Sequence, residues 1–335
     1  MKKAAFALTL LTLAVGGCGE HSALQPAGEH AARLAGLTWI FIGVCAAVFV
    51  IVMVYLLWAL VRPRAAPMVT IVAPDPTSLG KLHRAIAVAG GLTALTLLGL
   101  LVASAMAGHA EAASEVRLPM SIRVVGHQWW WEFEYTDPDV SKTVTTANEI
   151  HVPVGRTILL ELSSHDVIHS FWVPRLAGKI DLIPSRTNQT KLLVDAPGRF
   201  RGQCAEFCGY QHAHMAFWII AEPERDFEAW LQHERAPATP PADESTRRGA
   251  QLFASGPCPM CHTVRGTDAA ATVGPDLTHI AGRSTLASGA FPNTRDHLRT
   301  LVTNIQRMKP GALMPDMALP ADDLDVLMSY LRGLQ

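Results

Sequence analysis

The chain has 335 residues, 49% of them hydrophobic and 17% charged, with a formal net charge of −1. That length accommodates two or three domains, the composition is too apolar for a wholly soluble protein, and the near-neutral charge argues against nucleic acid as a partner. Six cysteines (Cys18, Cys45, Cys204, Cys208, Cys258, Cys261) include two close pairs with histidine just downstream, which suits metal or haem chemistry better than a disulfide framework.

Residues 1–17 read as a signal peptide. Lys2 and Lys3 give the positive start, Ala4–Val15 a short apolar run and Gly16-Gly17 the small residues before a cut. Val15-Gly16-Gly17-Cys18 resembles a bacterial lipoprotein processing site, with Cys18 as the lipidated N-terminus; an ordinary signal peptide with an incidental Cys18 is the alternative. Residues 18–35 form an N-terminal extracytoplasmic segment, and residues 36–108 a transmembrane hairpin. Leu37–Val61 carries no charge and reaches about 37 Å as a helix, enough to cross a bilayer with tilt. Ala85–Gly108 is a second uncharged run. The loop between them has Arg62, Arg64, Lys81 and Arg84 against Asp75, which puts it in the cytoplasm and everything after Gly108 outside.

Residues 115–223 change to short β-rich runs: Ser121–Gly126, Trp129–Tyr135, Thr157–Leu162, Ile168–Val173, Thr190–Val194 and Phe217–Ala221. Such runs, punctuated by turns, predict a β-sandwich. Glu224–His233 reads as a short helix. Residues 233–245, with Pro237, Pro240 and Pro241, read as a semi-stiff linker. Residues 246–335 are helical in texture, with Arg247–Ala254, Arg295–Ile305 and Ala321–Leu334 as the helices.

Two stretches carry chemistry. Cys204-Ala-Glu-Phe-Cys208-Gly-Tyr-Gln-His212-Ala-His-Met215 gathers thiols, imidazoles and a thioether, the soft ligand set that selects copper; a strained disulfide is the alternative for the two thiols. Cys258-Pro-Met-Cys261-His262 is the c-type haem attachment motif, in which two thiols add to the haem and the histidine reaches the iron. A thioredoxin-like pair would need a βαβ context, and a zinc site a second ligand pair. A sulfur ligand on the opposite haem face raises the reduction potential. Met308, Met314 and Met317 are the candidates, with His279 and His297 as outsiders, while Met260 lies inside the motif and cannot reach that face. The Lys309-Pro310-Gly311-Ala-Leu-Met314-Pro315 loop resembles the distal-methionine loop of small bacterial cytochromes c. Met314 therefore stands first and Met317 next.

The order His169, Cys204, Cys208, His212, Met215 resembles the dinuclear copper centre, CuA, of cytochrome c oxidase subunit II, and Gly126-His127-Gln128-Trp129-Trp130-Trp131-Glu132 resembles that family's aromatic stretch. The two-span hairpin fits, and the appended cytochrome resembles the caa(3)-type oxidases. The resemblance implies a cupredoxin-like β-sandwich and an all-α class I cytochrome c domain. It implies that Cys204 and Cys208 bridge two coppers, that His169 and His212 bind one each, and that Met215 and the Glu206 carbonyl bind weakly on either side. The Glu206 side chain would help bind magnesium at the interface with subunit I, and Trp129 would be the electron-entry residue. His127, His151, His165 and His214 are expected to be non-ligands, and Cys45 a small apolar residue of a span. Trp130 stands where tyrosine is usual, and His165 where an acid helps dock a basic cytochrome c. No glutamate accompanies Lys81, His83 and Arg84, so no proton path is assigned to this chain.

The function so implied is electron transfer from haem c through CuA to a catalytic subunit I that reduces oxygen and pumps protons. Subunit III and an upstream donor such as cytochrome c are further partners, and the site is the outer face of a bacterial cytoplasmic membrane. A nitric oxide reductase subunit is the near alternative, and a copper chaperone or sensor is one from a different class. A quinol oxidase subunit would lack the copper ligands.

Overall fold

The computed structural model describes residues 21–63, 76–112 and 120–335. Cys18, the targeting segment, Arg64 and Asp75 lie outside the described residues. The chain divides into two units, residues 32–115 and the remainder.

The first unit is built on two helices, α1 (Glu29–Val61) and α2 (Pro76–Ala112). Both extend beyond the uncharged runs that predict them. α1 begins ahead of Leu37, inside the expected extracytoplasmic segment, and α2 starts at Pro76, a residue suited to a first helical position because its missing N–H has no intrahelical partner to lose. Each is long and apolar enough to cross a membrane, and side chains such as Leu57, Leu60, Leu95 and Leu101 face outward. The Thr38, Thr93 and Thr96 hydroxyls donate to the carbonyls one turn earlier (Leu34, Ala89, Leu92), so these polar groups need no water.

The larger unit holds two modules. The first is a sandwich of two five-stranded sheets, in the orders β3-β2-β1-β5-β8 and β4-β10-β9-β6-β7. The strands are β1 (Met120–His127), β2 (Trp130–Tyr135), β3 (Val144–Ala147), β4 (Glu149–Pro153), β5 (Ile158–Ser164), β6 (His169–Trp172), β7 (Ile180–Leu182), β8 (Asn188–Leu192), β9 (Gly198–Cys204) and β10 (Ala216–Glu222). Alternation sets the buried face: Trp131, Phe133 and Tyr135 of β2 point inward, as do Ile158, Leu160 and Leu162 of β5. β1 runs parallel to β5 and β10 parallel to β4, so the chain crosses between the sheets rather than folding as a chain of hairpins. The sequence reading lacks β3, β4, β7 and β9. β9, Gly-Arg-Phe-Arg-Gly-Gln-Cys, reads as polar because Gly202 stands on its buried face; a Cβ there would lie 2.1 Å from the Phe217 ring. Helix α3 (Glu224–Arg235) then buries Phe227 against the sandwich.

The second module has its own core, around Phe253, Leu298, Leu327, Met328 and Leu331. Its helices are α4 (Glu244–Ser255), α5 (Arg295–Thr303), α6 (Ile305–Met308) and α7 (Ala321–Gly333). α4 crosses α7 at Gly249, where a Cβ would lie 2.1 Å from the Val326 carbonyl oxygen, so the two backbones touch. The single helix expected over Arg295–Ile305 breaks at Asn304, whose side chain accepts from the Arg307 N–H and caps α6. The linker is shorter than its composition suggests, because α3 runs to Arg235 and α4 starts at Glu244. It is also held down: Ala238 N–H donates to the Arg265 carbonyl, and the Ala236 carbonyl is bonded by His279.

Candidate metal and haem centres

The soft-ligand residues come together at one end of the sandwich. His169 opens β6 and Cys204 closes β9, and pairing of these strands sets Cys204 opposite Phe171. The chain then loops through Cys208 and His212 to Met215, where Cys204 N–H donates to the Met215 carbonyl at 2.9 Å and closes the loop. His169 and Met215 are fully buried, and Cys204 and Cys208 nearly so.

The donor atoms form a chain of short separations. Cys204 Sγ lies 3.9 Å from His169 Nδ1 and 3.8 Å from Cys208 Sγ, and Cys208 Sγ lies 3.7 Å from His212 Nδ1 and 3.8 Å from Met215 Sδ. The Glu206 carbonyl oxygen is 3.1 Å from Cys204 Sγ, while the Glu206 side chain is half-buried. The sulfurs are too far apart for the disulfide alternative, which needs about 2.05 Å, and both thiols are free. His169, Cys204 and Cys208 alone form a group able to hold a metal ion, and His212, Met215 and the Glu206 carbonyl extend it. Thiolate, thioether and imidazole donors in this number, all but His212 buried, fit copper.

Surrounding groups hold the ligands in place. His169 Nε2 lies 2.8 Å from Asp166 Oδ1, which turns Nδ1 toward the sulfurs, as is common for metal-bound histidine. Burial works to raise the Asp166 carboxyl, but hydrogen bonds from His169, Val167 N–H and Gln128 N–H outweigh it and hold the group below its ordinary range. Burial likewise opposes the charge on His169, yet Asp166 and Cys204 raise its pKa. Cys204 is pushed down to about 3, first by the hydrogen bond from Cys208 and then, against burial, by His169. Cys208 is raised by the same bond and by burial. The pair thus gives up one proton readily, and a bound cation would displace the second to solvent, since thiol ligands bind deprotonated. Gly126 lies against the His169 ring, where a Cβ would approach Cδ2 to 2.8 Å.

The other histidines are engaged elsewhere. His214 Nδ1 bonds Gln211, His151 Nδ1 bonds Glu222, and His127 stacks on Trp130 with His165 beside it. Trp129 is tied directly to the copper loop: its Nε1–H donates to the Cys208 carbonyl at 3.0 Å. Gln128 Nε2 donates to the same oxygen at 2.7 Å, a role that sequence reasoning missed and that only its adjacency to Trp129 signals.

In the helical module, Cys258, Cys261 and His262 lie on the wall of a cavity of about 290 Å³, together with Met314 and Met317. His262 Nδ1 lies 2.7 Å from the Pro275 carbonyl, which fixes the tautomer and leaves Nε2 free for a metal. Burial pushes the His262 pKa down, keeping the imidazole neutral as a ligand must be. Gly274 is required here, because a Cβ would sit 2.7 Å from the ring's Cε1. Burial also raises the Cys258 thiol. Unpaired cysteines beside a neutral histidine and an apolar cavity fit a covalently held haem. Met308 is buried and is not among the residues lining this cavity. His279 bonds the Gln335 and Ala236 carbonyls, and His297 Nδ1 bonds the Pro292 carbonyl, so both outsiders are occupied.

The comparisons agree with this division. Residues 139–222 match the family described as cytochrome c oxidase subunit II, periplasmic domain, and residues 246–335 match cytochrome c. Cytochrome c oxidase subunit 2 of Alkalihalophilus pseudofirmus is 39% identical over 64% of this chain; the chain spans 61% of that protein's length. Cytochrome c oxidase subunit 2 of Bacillus subtilis is 27% identical over 98% of this chain and 96% of its own. The crystal structure of the periplasmic domain of cytochrome oxidase subunit II from Bradyrhizobium japonicum is 31% identical, with a TM-score of 0.34, covering 36% of this chain and 97% of that one. The chain joins a cytochrome c oxidase subunit II domain to a cytochrome c domain and is homologous to the Bacillus subunit 2 over nearly its full length, the arrangement of a fused, caa(3)-type subunit II.

Proposed function

We propose that this chain is the electron-transfer subunit of a haem-copper terminal oxidase, anchored in a bacterial cytoplasmic membrane with both modules on the outer face. The observation that carries the reading is the convergence of His169 and Cys204, from two paired strands, with Cys208, His212 and Met215 of the loop that follows, four of the five buried. In it, Cys204 and Cys208 would bridge two coppers, His169 and His212 would bind one each, and Met215 and the Glu206 carbonyl would complete the set. Cys258 and Cys261 would hold haem c, with His262 and Met314 as its axial ligands. Bound there, the copper pair and the haem would supply one-electron carriers whose surroundings barely rearrange on oxidation. The chain's own part is to orient and shield them. Asp166 fixes the His169 ring, burial excludes water, and the Trp129 N–H rests on the carbonyl of a bridging cysteine. The ligand pocket is too buried for a copper chaperone, which must release its metal to a partner.

Electrons would pass from an upstream donor such as cytochrome c through the haem module and Trp129 to the copper pair, and on to subunit I, where oxygen is reduced and protons are pumped. Subunit III and membrane lipid are further partners, the Glu206 side chain would face a magnesium ion shared with subunit I, and Cys18 would carry lipid. Metal analysis of the purified full chain should find two coppers and one haem c. One copper per chain, or zinc in its place, overturns the dinuclear assignment. The catalytic subunit that copurifies, assayed with oxygen and with nitric oxide, decides the terminal acceptor: turnover of nitric oxide alone overturns the oxidase reading.

A further inference from the structure

The loop that presents Met314 begins with a lysine whose side chain leaves its own module. Lys309 Nζ donates to the backbone carbonyl of Trp129, to Ser288 Oγ at 2.8 Å, and to the carbonyls of His214 and Ala287 at 3.3 Å. Only 5% of the residue is exposed, and among the described residues every partner of its ammonium is a neutral oxygen. Burying a cation is costly unless its protons all find acceptors. An aliphatic residue would leave these oxygens short of a donor, so the position is not explained by packing alone. Burial draws the Lys309 pKa down to about 7, against the pull of nearby Cys208.

The neighbouring contacts extend the same seam. Ser288 Oγ donates to the Trp129 carbonyl at 2.6 Å, Ala216 N–H donates to the Ser288 carbonyl at 3.0 Å, and Gln211 Nε2 donates to the Pro310 carbonyl at 2.9 Å. On the other flank the charge is reversed. Glu149 of the sandwich is 4% exposed, and it accepts from the N–H groups of Ser284 and Thr285 at 2.9 Å and from both hydroxyls. Glu149 is thus held wholly by groups of the cytochrome module, and Lys309 by two carbonyls of the sandwich together with Ser288 and Ala287 of its own module. Between the two flanks, the Trp129 indole lies between the copper loop and the methionine loop. A Cβ on Gly209 would sit 3.2 Å from its Cζ2, and one on Gly311 would sit 3.4 Å from its Cη2. Gln128, Trp129, Trp130 and Asn148 also complete the wall of the haem-module cavity.

We infer that Lys309 and Glu149 are positioning residues, a reciprocal pair of buried charges that clamps the cytochrome module onto the Trp129 face of the sandwich and closes that face to any separate protein. The clamp rests on the proposed electron-transfer reading for its purpose. Its existence can be tested without that reading.

The test is amide hydrogen exchange on the full-length chain, comparing wild type with Lys309→Leu and Glu149→Ala. Leucine is chosen because it adds no ligand near the haem cavity. The clamp predicts effects across the seam. Lys309→Leu should speed exchange at the Ser284 and Thr285 amides, and Glu149→Ala should speed exchange at Ala216, each by about tenfold or more, as expected when a charge-assisted buried set is lost. Haem absorption in both variants should stay at its wild-type form, which establishes that the cytochrome module remains folded, and exchange at the β1 and β5 amides should stay slow, which establishes the same for the sandwich. Faster exchange confined to the mutated flank would reduce the contacts to local packing and overturn the clamp. If Lys309→Leu loses its haem, Ser288→Ala replaces it, with the same two flanks read. A clamp that passes in a chain lacking the second copper would fail the functional reading alone. In a chain with both centres, the electron equilibration rate between haem and copper should fall in Lys309→Leu, whereas a merely stabilising lysine would leave it unchanged.

Discussion

At the scale of single residues, Asp166 holds the His169 ring at 2.8 Å, and Gly126 and Gly274 leave room for the His169 and His262 rings. Cys204–Met215 and Cys258–His262 announce themselves because thiols and imidazoles at these short spacings have few other uses. Gly126, Gly274 and Gln128 carry no such signal. Their roles exist only once His169, His262 and the Cys208 carbonyl lie beside them. Gly274→Ala is therefore expected to displace the His262 ring, because the added methyl would meet Cε1 at 2.7 Å. The haem absorption bands of the variant should shift or weaken, and an unchanged spectrum would sink the argument. Among the methionines, Met314→Ala should change the haem ligation spectrum. Met308→Ala should keep that spectrum and instead lose about 2–5 kcal/mol of stability to denaturant, the usual cost of emptying a buried methionine site. Met314 and Met317 share the cavity wall, so Met317→Ala is the control that separates the two.

At the scale of elements, clean alternation made β2 and β5 readable, whereas β9 was masked by glycines and arginines whose reason lies on a neighbouring strand. The Asn304 break was masked too, because the apolar period continues through it and only the cap geometry ends α5. One tie between elements has a consequence for pH. Tyr135 of β2 is buried, and its hydroxyl donates to the His151 carbonyl at 2.9 Å and accepts from the His151 N–H at 2.7 Å, joining a strand of one sheet to β4 of the other. Burial pushes its pKa well above the ordinary value. The unfolded phenol loses its proton near pH 10 while the folded one keeps it, so the folded state binds more protons there. Stability is full below about pH 10 and falls as pH rises past it. Tyr135→Phe should cost about 1–3 kcal/mol at neutral pH, the penalty for leaving a buried backbone pair unmet, and should flatten the alkaline fall. Denaturant midpoints at pH 7 and above pH 10 measure both effects, and a variant as stable as wild type at pH 7 would remove the tie.

At the scale of the whole molecule, the two long apolar helices and the two modules that follow them are legible through changes in texture along the chain. The sequence could not reveal that the linker lies against the cytochrome module, because composition reports chain stiffness and not what the chain touches. The two modules keep separate apolar cores and meet through polar and charged contacts. Cooperativity follows shared burial, so two unfolding transitions are expected from them rather than one. Copper would bind the folded sandwich and not the unfolded chain, which at a thousand times the dissociation constant amounts to about 4 kcal/mol. Chelating it also leaves the single negative charge of the Cys204–Cys208 pair buried without a cation to balance it. Calorimetry of the copper-free chain should therefore show the sandwich transition lowered by more than about 10 °C, since each kcal/mol moves a domain of this size by several degrees. The transition followed by haem absorbance should move much less, because nothing in its own core has been removed. Equal shifts in both would mean that the seam at Lys309 and Glu149 makes one cooperative body of the two modules, and the separate-core reading would then be wrong.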